Sequence, residues 1–180
     1  MTPAKRKKRS LRKEVTYPHS IEKVWVALTD PRALAEWLMP NDFRPEVGHR
    51  FVLQVDGAPR MNFSGLNECE VLACDPPNRM VWSWVVVPGK AGRERPEAMT
   101  LTWSLSPVGE GTRLVLEQDG LEHLRFFDRM SMAFGWGTML KRWLPRIMAR
   151  IGGDLDFSPG AIPLKKRCYG TKTIPDHLVR

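Results

Sequence analysis

The stretch DRMSMAFGWGTMLKRWLPRIMARI, residues 128–151, is the longest segment whose apolar residues recur at the spacing of an α-helix. Pro145 interrupts the pattern and is expected to kink the helix or end it early, because proline lacks a backbone N–H and clashes with the preceding turn. Gly152 and Gly153 mark its end. The residues predicted to share one helical face are Met130, Ala133, Phe134, Gly137, Leu140, Leu144, Ile147, Met148 and Ile151. We expect one long helix at the C-terminal end of the folded domain.

Upstream of this helix, apolar residues alternate with polar ones, which is the spacing of β-strands with one buried face. A first strand is predicted around residues 11–17, and further alternating runs follow from residue 43 onward. Turn signals separate these runs at Asp56-Gly57, Asp75-Pro76-Pro77-Asn78 and Gly109-Glu110-Gly111. Successive strands joined by short turns predict an antiparallel meander.

Two short helices are predicted between the first strand and the meander. Ser20 suits the N-cap of the first, and Asp30 followed by Pro31 opens the second. An antiparallel sheet must bury one face, and the C-terminal helix is the only predicted element long enough to cover it. The sequence therefore predicts an α+β fold in which a curved antiparallel sheet of about six or seven strands wraps around the long helix.

The formal net charge of +8 on 180 residues is concentrated at the chain ends. Residues 1–13 carry seven basic residues and no acid, whereas residues 14–153 carry 16 basic and 17 acidic residues. We predict a disordered basic arm over residues 1–10, a neutral folded domain over residues 11–153 and a tail over residues 154–180.

The composition argues against several classes of protein. Apolar residues make up 42% and charged residues 27%, which is the mix of an ordinary globular domain. No run reaches the roughly 18 apolar residues of a membrane span, and the start MTPAKRKKRS lacks the apolar stretch of a secretory signal, so we expect a cytoplasmic protein. Cys69, Cys74 and Cys168 form a sparse, odd-numbered set with no histidine at a zinc-ligand spacing. Reduced thiols are expected, with no metal and no cofactor.

Several segments carry a family resemblance over roughly residues 11–151. They are Val24-Trp25, Ala27-Leu28-Thr29-Asp30-Pro31, Leu34-Ala35-Glu36-Trp37, Gly48, Val71 through Asp75-Pro76-Pro77, Met80 to Trp84, Gly111-Thr112-Arg113-Leu114, and Gly135-Trp136-Gly137 with Leu140. In this order they resemble the SRPBCC superfamily, which has the helix-grip fold of START domains and the birch-pollen allergen. Within it, the chain is most similar to the group named after the C-terminal domain of the activator of the heat-shock protein 90 ATPase.

The resemblance implies a binding cavity between sheet and helix, since proteins of this superfamily bind small apolar or amphipathic molecules there. Asn67 and Gln118 share the parity of inward-facing residues and are the polar groups expected in such a cavity. The full predicted lining is Trp37, Phe51, Phe63, Asn67, Trp82, Trp84, Trp103, Gln118, Met132, Trp136 and Leu140. The alternative for the aromatic residues is that they fill a closed core.

Three other functions stay open. Some relatives resemble polyketide cyclases and aromatases, which would need a positioned acid or base, and His19, His49 and His123 are the candidates. The namesake group stimulates a chaperone ATPase, which implies a partner-protein role. The basic run Lys5 to Arg9 predicts weak, non-specific contact with nucleic acid phosphates.

Overall fold

The computed structural model describes residues 9–58, 60, 62–90, 94–167 and 178. In these ranges six strands form one antiparallel sheet in the order β1-β6-β5-β4-β3-β2. The strands are β1 (Ser10–Tyr17), β2 (Arg50–Gln54), β3 (Phe63–Asp75), β4 (Arg79–Pro88), β5 (Met99–Val108) and β6 (Gly111–Asp119). Strands β2 to β6 form the predicted meander, and β1 completes the sheet by pairing with β6. The α+β fold class predicted from the sequence is confirmed.

The two short helices follow β1 as α1 (Ile21–Thr29) and α2 (Pro31–Trp37). The Ser20 hydroxyl caps α1, and the Asp30 carboxylate accepts a hydrogen bond from the backbone N–H of Arg32 at 2.8 Å. Pro31 occupies the start of α2, where a missing N–H leaves no helical acceptor unpaired. These caps fix the sharp corner between the two helices.

The long C-terminal helix consists of α3 (Phe126–Thr138), a π-helical turn (Met139–Trp143) and α4 (Leu144–Met148). Its C-terminal half packs closely on the domain, whereas Trp136 is the one residue of α3 that is buried. The predicted apolar face is wrong for α3, since Met130 and Phe134 are 54% and 78% exposed. The side chains that pack toward the core are Met132 and Trp136, two positions further along the chain.

The interruption of the helix predicted at Pro145 is observed as the π-helical turn just before it. The Leu144 N–H donates to the Met139 carbonyl, five residues earlier, and Pro145 has no N–H to offer the Leu140 carbonyl. The Tyr17 hydroxyl, at the end of β1, donates to that carbonyl at 2.6 Å. Burial raises the pKa of Tyr17, so this hydroxyl remains a donor at neutral pH.

Part of the predicted tail is held against α2 by one buried carboxylate. Glu36 is 3% exposed and accepts the backbone N–H groups of Gly160 at 2.6 Å and Ile162 at 2.9 Å. The Arg167 guanidinium lies 3.5 Å from the same carboxylate. The side chains of Phe157 and Ile162 are buried in the core cluster. A segment held in this way needs no periodic sequence pattern.

Most of the predicted basic arm lies outside the described residues, because the description begins at residue 9. Ser10 begins β1 and pairs with Asp119, and the Arg9 carbonyl accepts the N–H of Leu121. Lys5 to Lys8 and Cys168 are among the residues not described. Within the described part of the chain, no helix is long and apolar enough to cross a membrane.

We expect Glu36→Ala to lower the free energy of unfolding by about 2–4 kcal/mol, because it leaves two backbone donors and the Arg167 guanidinium without their acceptor. Chemical denaturation followed by circular dichroism measures the change. Glu110→Ala, which removes an exposed carboxylate in the turn between β5 and β6, is the matched control and should stay within about 0.5 kcal/mol of the parent. A loss below about 1 kcal/mol for Glu36→Ala would contradict this account of how the tail is held.

Candidate ligand-binding site

An open cleft of about 390 Å³ lies between α3, the sheet and the segment that follows α2. Trp84 contributes from β4, Gln118 from β6, and Met132 and Trp136 from α3. The other lining residues are Leu38, Met39, Asp128, Ser131, Phe134, Gly135 and Met139. The cleft is therefore mostly apolar, with a few polar groups among its walls.

Two indole rings at the cleft are fixed by side-chain amide oxygens, one from β3 and one from β6. The Trp84 indole N–H donates to Asn67 Oδ1 at 3.0 Å, and the Trp136 indole N–H donates to Gln118 Oε1 at 2.8 Å. The two rings meet edge to face, with their centroids 5.9 Å apart. Because all four side chains are buried and bonded to one another, this wall of the cleft is rigid.

The side-chain amide nitrogens of Asn67 and Gln118 differ in how fully they are hydrogen-bonded. Asn67 Nδ2 donates to the Leu53 carbonyl at 3.2 Å and lies 3.4 Å from the Met39 sulfur. For Gln118 Nε2, the acceptor found among the described residues is the Met99 sulfur at 3.6 Å, which is a weak one. Gln118 therefore brings a largely unused N–H donor to the wall of the cleft.

Beyond Trp136 the space between sheet and helix is filled. The Trp103 ring stands edge to face against the rings of Trp37, Trp82 and Trp136, at centroid distances of 6.0, 5.9 and 5.5 Å. Trp82 Nε1 and Trp103 Nε1 have no hydrogen-bond partner among the described residues. Burying an N–H without a hydrogen-bond partner costs free energy. Edge-to-face packing offsets part of that cost, because it sets the positive edge of one ring against the negative face of another. This side of Trp136 is a closed core.

The structure brings four of the eleven predicted lining residues to the cleft: Trp84, Gln118, Met132 and Trp136. It places the other seven elsewhere: Trp37, Phe51, Trp82, Trp103 and Leu140 in the closed core, Asn67 in contact with Trp84, and Phe63 half-buried at the start of β3. Strand parity shows which side of the sheet a residue faces. It contains no information on how closely the helix approaches that side, so it could not separate filled from open space.

Gly135 is the unpredicted cleft residue for which the sequence holds a signal. Glycine inside a helix is about 0.5–1 kcal/mol less favourable than alanine, and an added Cβ at Gly135 would meet no atom within 4 Å. Packing therefore does not require glycine here. The missing side chain leaves room beside Trp136, in the part of α3 that borders the cleft.

The three histidines considered for catalysis are absent from the lining of the cleft. His49 Nε2 lies 2.9 Å from the Asp42 carbonyl, and His123 Nε2 lies 2.9 Å from the Glu97 carboxylate. Partial desolvation, together with nearby Lys23, lowers the pKa of His19. Among the lining residues Asp128 is the one with an ionisable carboxylate or imidazole, and it is exposed.

The described residues contain no group of three or more histidine, cysteine, aspartate or glutamate side chains placed to bind a metal ion together. Cys69 and Cys74 are free thiols. Burial raises the pKa of both, most strongly for Cys69, which keeps these thiols protonated and poorly reactive.

The antiparallel sheet, the long C-terminal helix against it and the two short helices after the first strand define the helix-grip class of the SRPBCC superfamily. Within that class, the chain belongs to the family described as Activator of Hsp90 ATPase homolog 1-like protein, whose model matches residues 18–149. The family match confirms the resemblance identified in the sequence. It ends before the tail segment that Glu36 holds.

Solved structures show the same fold. Protein MLL2253 from Mesorhizobium loti is 32% identical, with a TM-score of 0.62 over 76% of this chain and 95% of that one. CalU16 from Micromonospora echinospora is 25% identical, with a TM-score of 0.60 over 79% of this chain and 77% of that one. BH1534 from Bacillus halodurans is 24% identical, with a TM-score of 0.61 over 78% of this chain and 96% of that one. No curated protein matches the chain.

The division between closed core and cleft predicts different costs for two tryptophans. Trp103→Ala should lower the free energy of unfolding by about 3–5 kcal/mol, because it opens a cavity surrounded by other buried rings. Trp84→Ala should cost clearly less, because its ring already borders open space. Denaturant titrations of both variants measure the difference. Equal losses would indicate that Trp84 belongs to the closed core as fully as Trp103 does.

Proposed function

We propose that this protein binds a small apolar or amphipathic molecule in the cleft between α3 and the sheet. The observation that carries the proposal is the open, mostly apolar cleft whose indole wall is held in place by Asn67 and Gln118. Its volume of about 390 Å³ falls in the range of about 300–1,000 Å³ typical of small-molecule sites. A preformed wall lowers the entropy cost of binding, because the rings need not be ordered by the ligand.

The lining suggests the chemistry of the ligand. Trp84, Met132 and Trp136 offer aromatic and thioether surfaces suited to a hydrocarbon or an aromatic ring. The Gln118 amide N–H is buried and weakly bonded, so a carbonyl or hydroxyl oxygen of the ligand would accept from it by displacing the Met99 sulfur. An apolar body with one hydrogen-bond acceptor therefore fits this cleft better than a multiply charged metabolite does.

Binding is better supported than catalysis. A cyclase-like reaction in this cleft would require a general acid or base within hydrogen-bond reach of the substrate. Among the lining residues, Asp128 alone has an ionisable carboxylate or imidazole, and it is exposed to solvent at the edge of the cleft.

The direct test is native mass spectrometry of protein purified without detergent, which should retain a small molecule. In a second assay, a fatty acid or a flavonoid added to the protein should change tryptophan fluorescence and raise the melting temperature by mass action. No mass adduct together with no response to either probe would contradict the proposal.

Substitutions at two glycines of α3 test whether the ligand binds in this cleft. Gly135→Leu should abolish probe binding, because the new side chain enters the cleft, and it should preserve the fold because leucine favours the helix. Gly137→Leu is the matched control, since Gly137 also has no neighbour within 4 Å of an added Cβ but is absent from the lining. Fluorescence titration of both variants measures this. Equal loss in the two, or unchanged binding in Gly135→Leu, would place the ligand elsewhere.

A further inference from the structure

The outer face of α3 carries four exposed large apolar side chains. Phe126, Phe127, Met130 and Phe134 are 61%, 79%, 54% and 78% exposed, and together they are called the α3 outer patch. At 3.6 residues per turn, these four positions fall within a stripe about 100° wide along one side of the helix. The patch is therefore a continuous apolar surface that points away from the core.

This patch differs from the other exposed apolar residues of the described ranges. Those are Val47, Leu72, Val108, Leu155 and Leu164, which are aliphatic and distributed over several loops and strands. Single exposed residues of that kind need no explanation, whereas a contiguous patch marks a contact surface. The rings of Phe126 and Phe127 contact each other edge to face, with centroids 5.7 Å apart, and both remain exposed.

The same helix is strongly basic. Between Phe126 and Met148 it contains four arginine and lysine residues and one acid, Asp128. Lys141 and Arg142, just after α3, are exposed. The Arg142 guanidinium lies over the Trp143 ring, 5.4 Å from its centroid, which adds an aromatic side chain to the basic stretch. An apolar patch followed by cationic residues on one helix requires a partner that is both apolar and anionic.

We propose that the α3 outer patch and the basic residues that follow it dock on the surface of an anionic lipid bilayer. Phenylalanine and methionine side chains insert at the boundary between headgroups and acyl chains, and lysine and arginine bind the anionic headgroups. A second copy of the chain is a poorer occupant, because it would bring two basic helices against each other. The docking requires no ligand in the cleft. Since Phe134 belongs to the patch and to the lining, docking would place the cleft beside the lipid surface.

Vesicle flotation tests the proposal on the full-length protein. Vesicles of phosphatidylcholine with roughly 30% phosphatidylglycerol should carry the protein to the top of the gradient, and vesicles of phosphatidylcholine alone should not. Phe126→Ser/Phe127→Ser should weaken the partition coefficient by at least about ten-fold, although the net charge is unchanged and neither residue lines the cleft. Val47→Ser/Val108→Ser removes two exposed apolar residues elsewhere and should bind within about two-fold of the parent.

A charge pair completes the test. Lys141→Glu/Arg142→Glu should also weaken binding by about ten-fold or more, whereas Arg44→Glu/Arg79→Glu, with the same change in net charge, should weaken it much less. Circular dichroism melting of each variant verifies that the fold is kept. Unchanged binding by Phe126→Ser/Phe127→Ser would overturn the proposal, since the basic N-terminus alone would then explain any attraction. A second result would also overturn the proposal: the parent protein does not bind the anionic vesicles but forms a dimer in light scattering, and Phe126→Ser/Phe127→Ser dissociates that dimer.

Discussion

The hydrogen bond from the Trp136 indole to Gln118 determines where the C-terminal helix meets the sheet. Gln118 lies near the end of β6 and is fully buried, so its amide oxygen is a fixed point, and the 2.8 Å bond sets the Trp136 ring at one depth above the sheet. From that position the ring contacts Trp103 on one side and Trp84 on the other. It is therefore the boundary between a closed aromatic core and an open cleft, and both depend on its placement.

A second point of attachment follows within one turn. The Leu140 carbonyl, which Pro145 cannot serve, accepts the Tyr17 hydroxyl from β1. Both attachments lie at or after Trp136, and none of the α3 residues before Trp136 is fully buried, so the helix is fixed to the domain mainly from Trp136 onward. The geometry that leaves the cleft open under α3 also leaves its outer face exposed. One structural cause thus accounts for the site and for the α3 outer patch, and Phe134 takes part in both.

The elements and their order could be predicted because each depends on local chemistry. Ser20 and Asp30-Pro31 cap helices, turn residues separate the strands, and parity placed Asn67 and Gln118 on the inner face, where both are buried. The filled and open parts could not be separated in the same way, since they depend on how far the helix stands from the sheet. The contacts of Glu36 could not be predicted from the sequence either. Its partners are backbone N–H groups 124 and 126 positions away, in a segment with no periodic pattern of apolar residues.

Within the C-terminal helix, the exposed large apolar residues are concentrated in α3. A helix that served only to cover the sheet would bury its large apolar residues and would replace Gly135 and Gly137, which no neighbour requires, with better helix formers. α3 does the opposite, with Phe127 and Phe134 more than three-quarters exposed. The following residues, from Met139 to Met148, include the π-helical turn and Pro145, but they bury every large apolar side chain except the half-buried Trp143. Sequences tolerate such local conflicts where function requires them, so the proposed binding role falls on the part of the helix that departs most from the burial pattern of a packed helix.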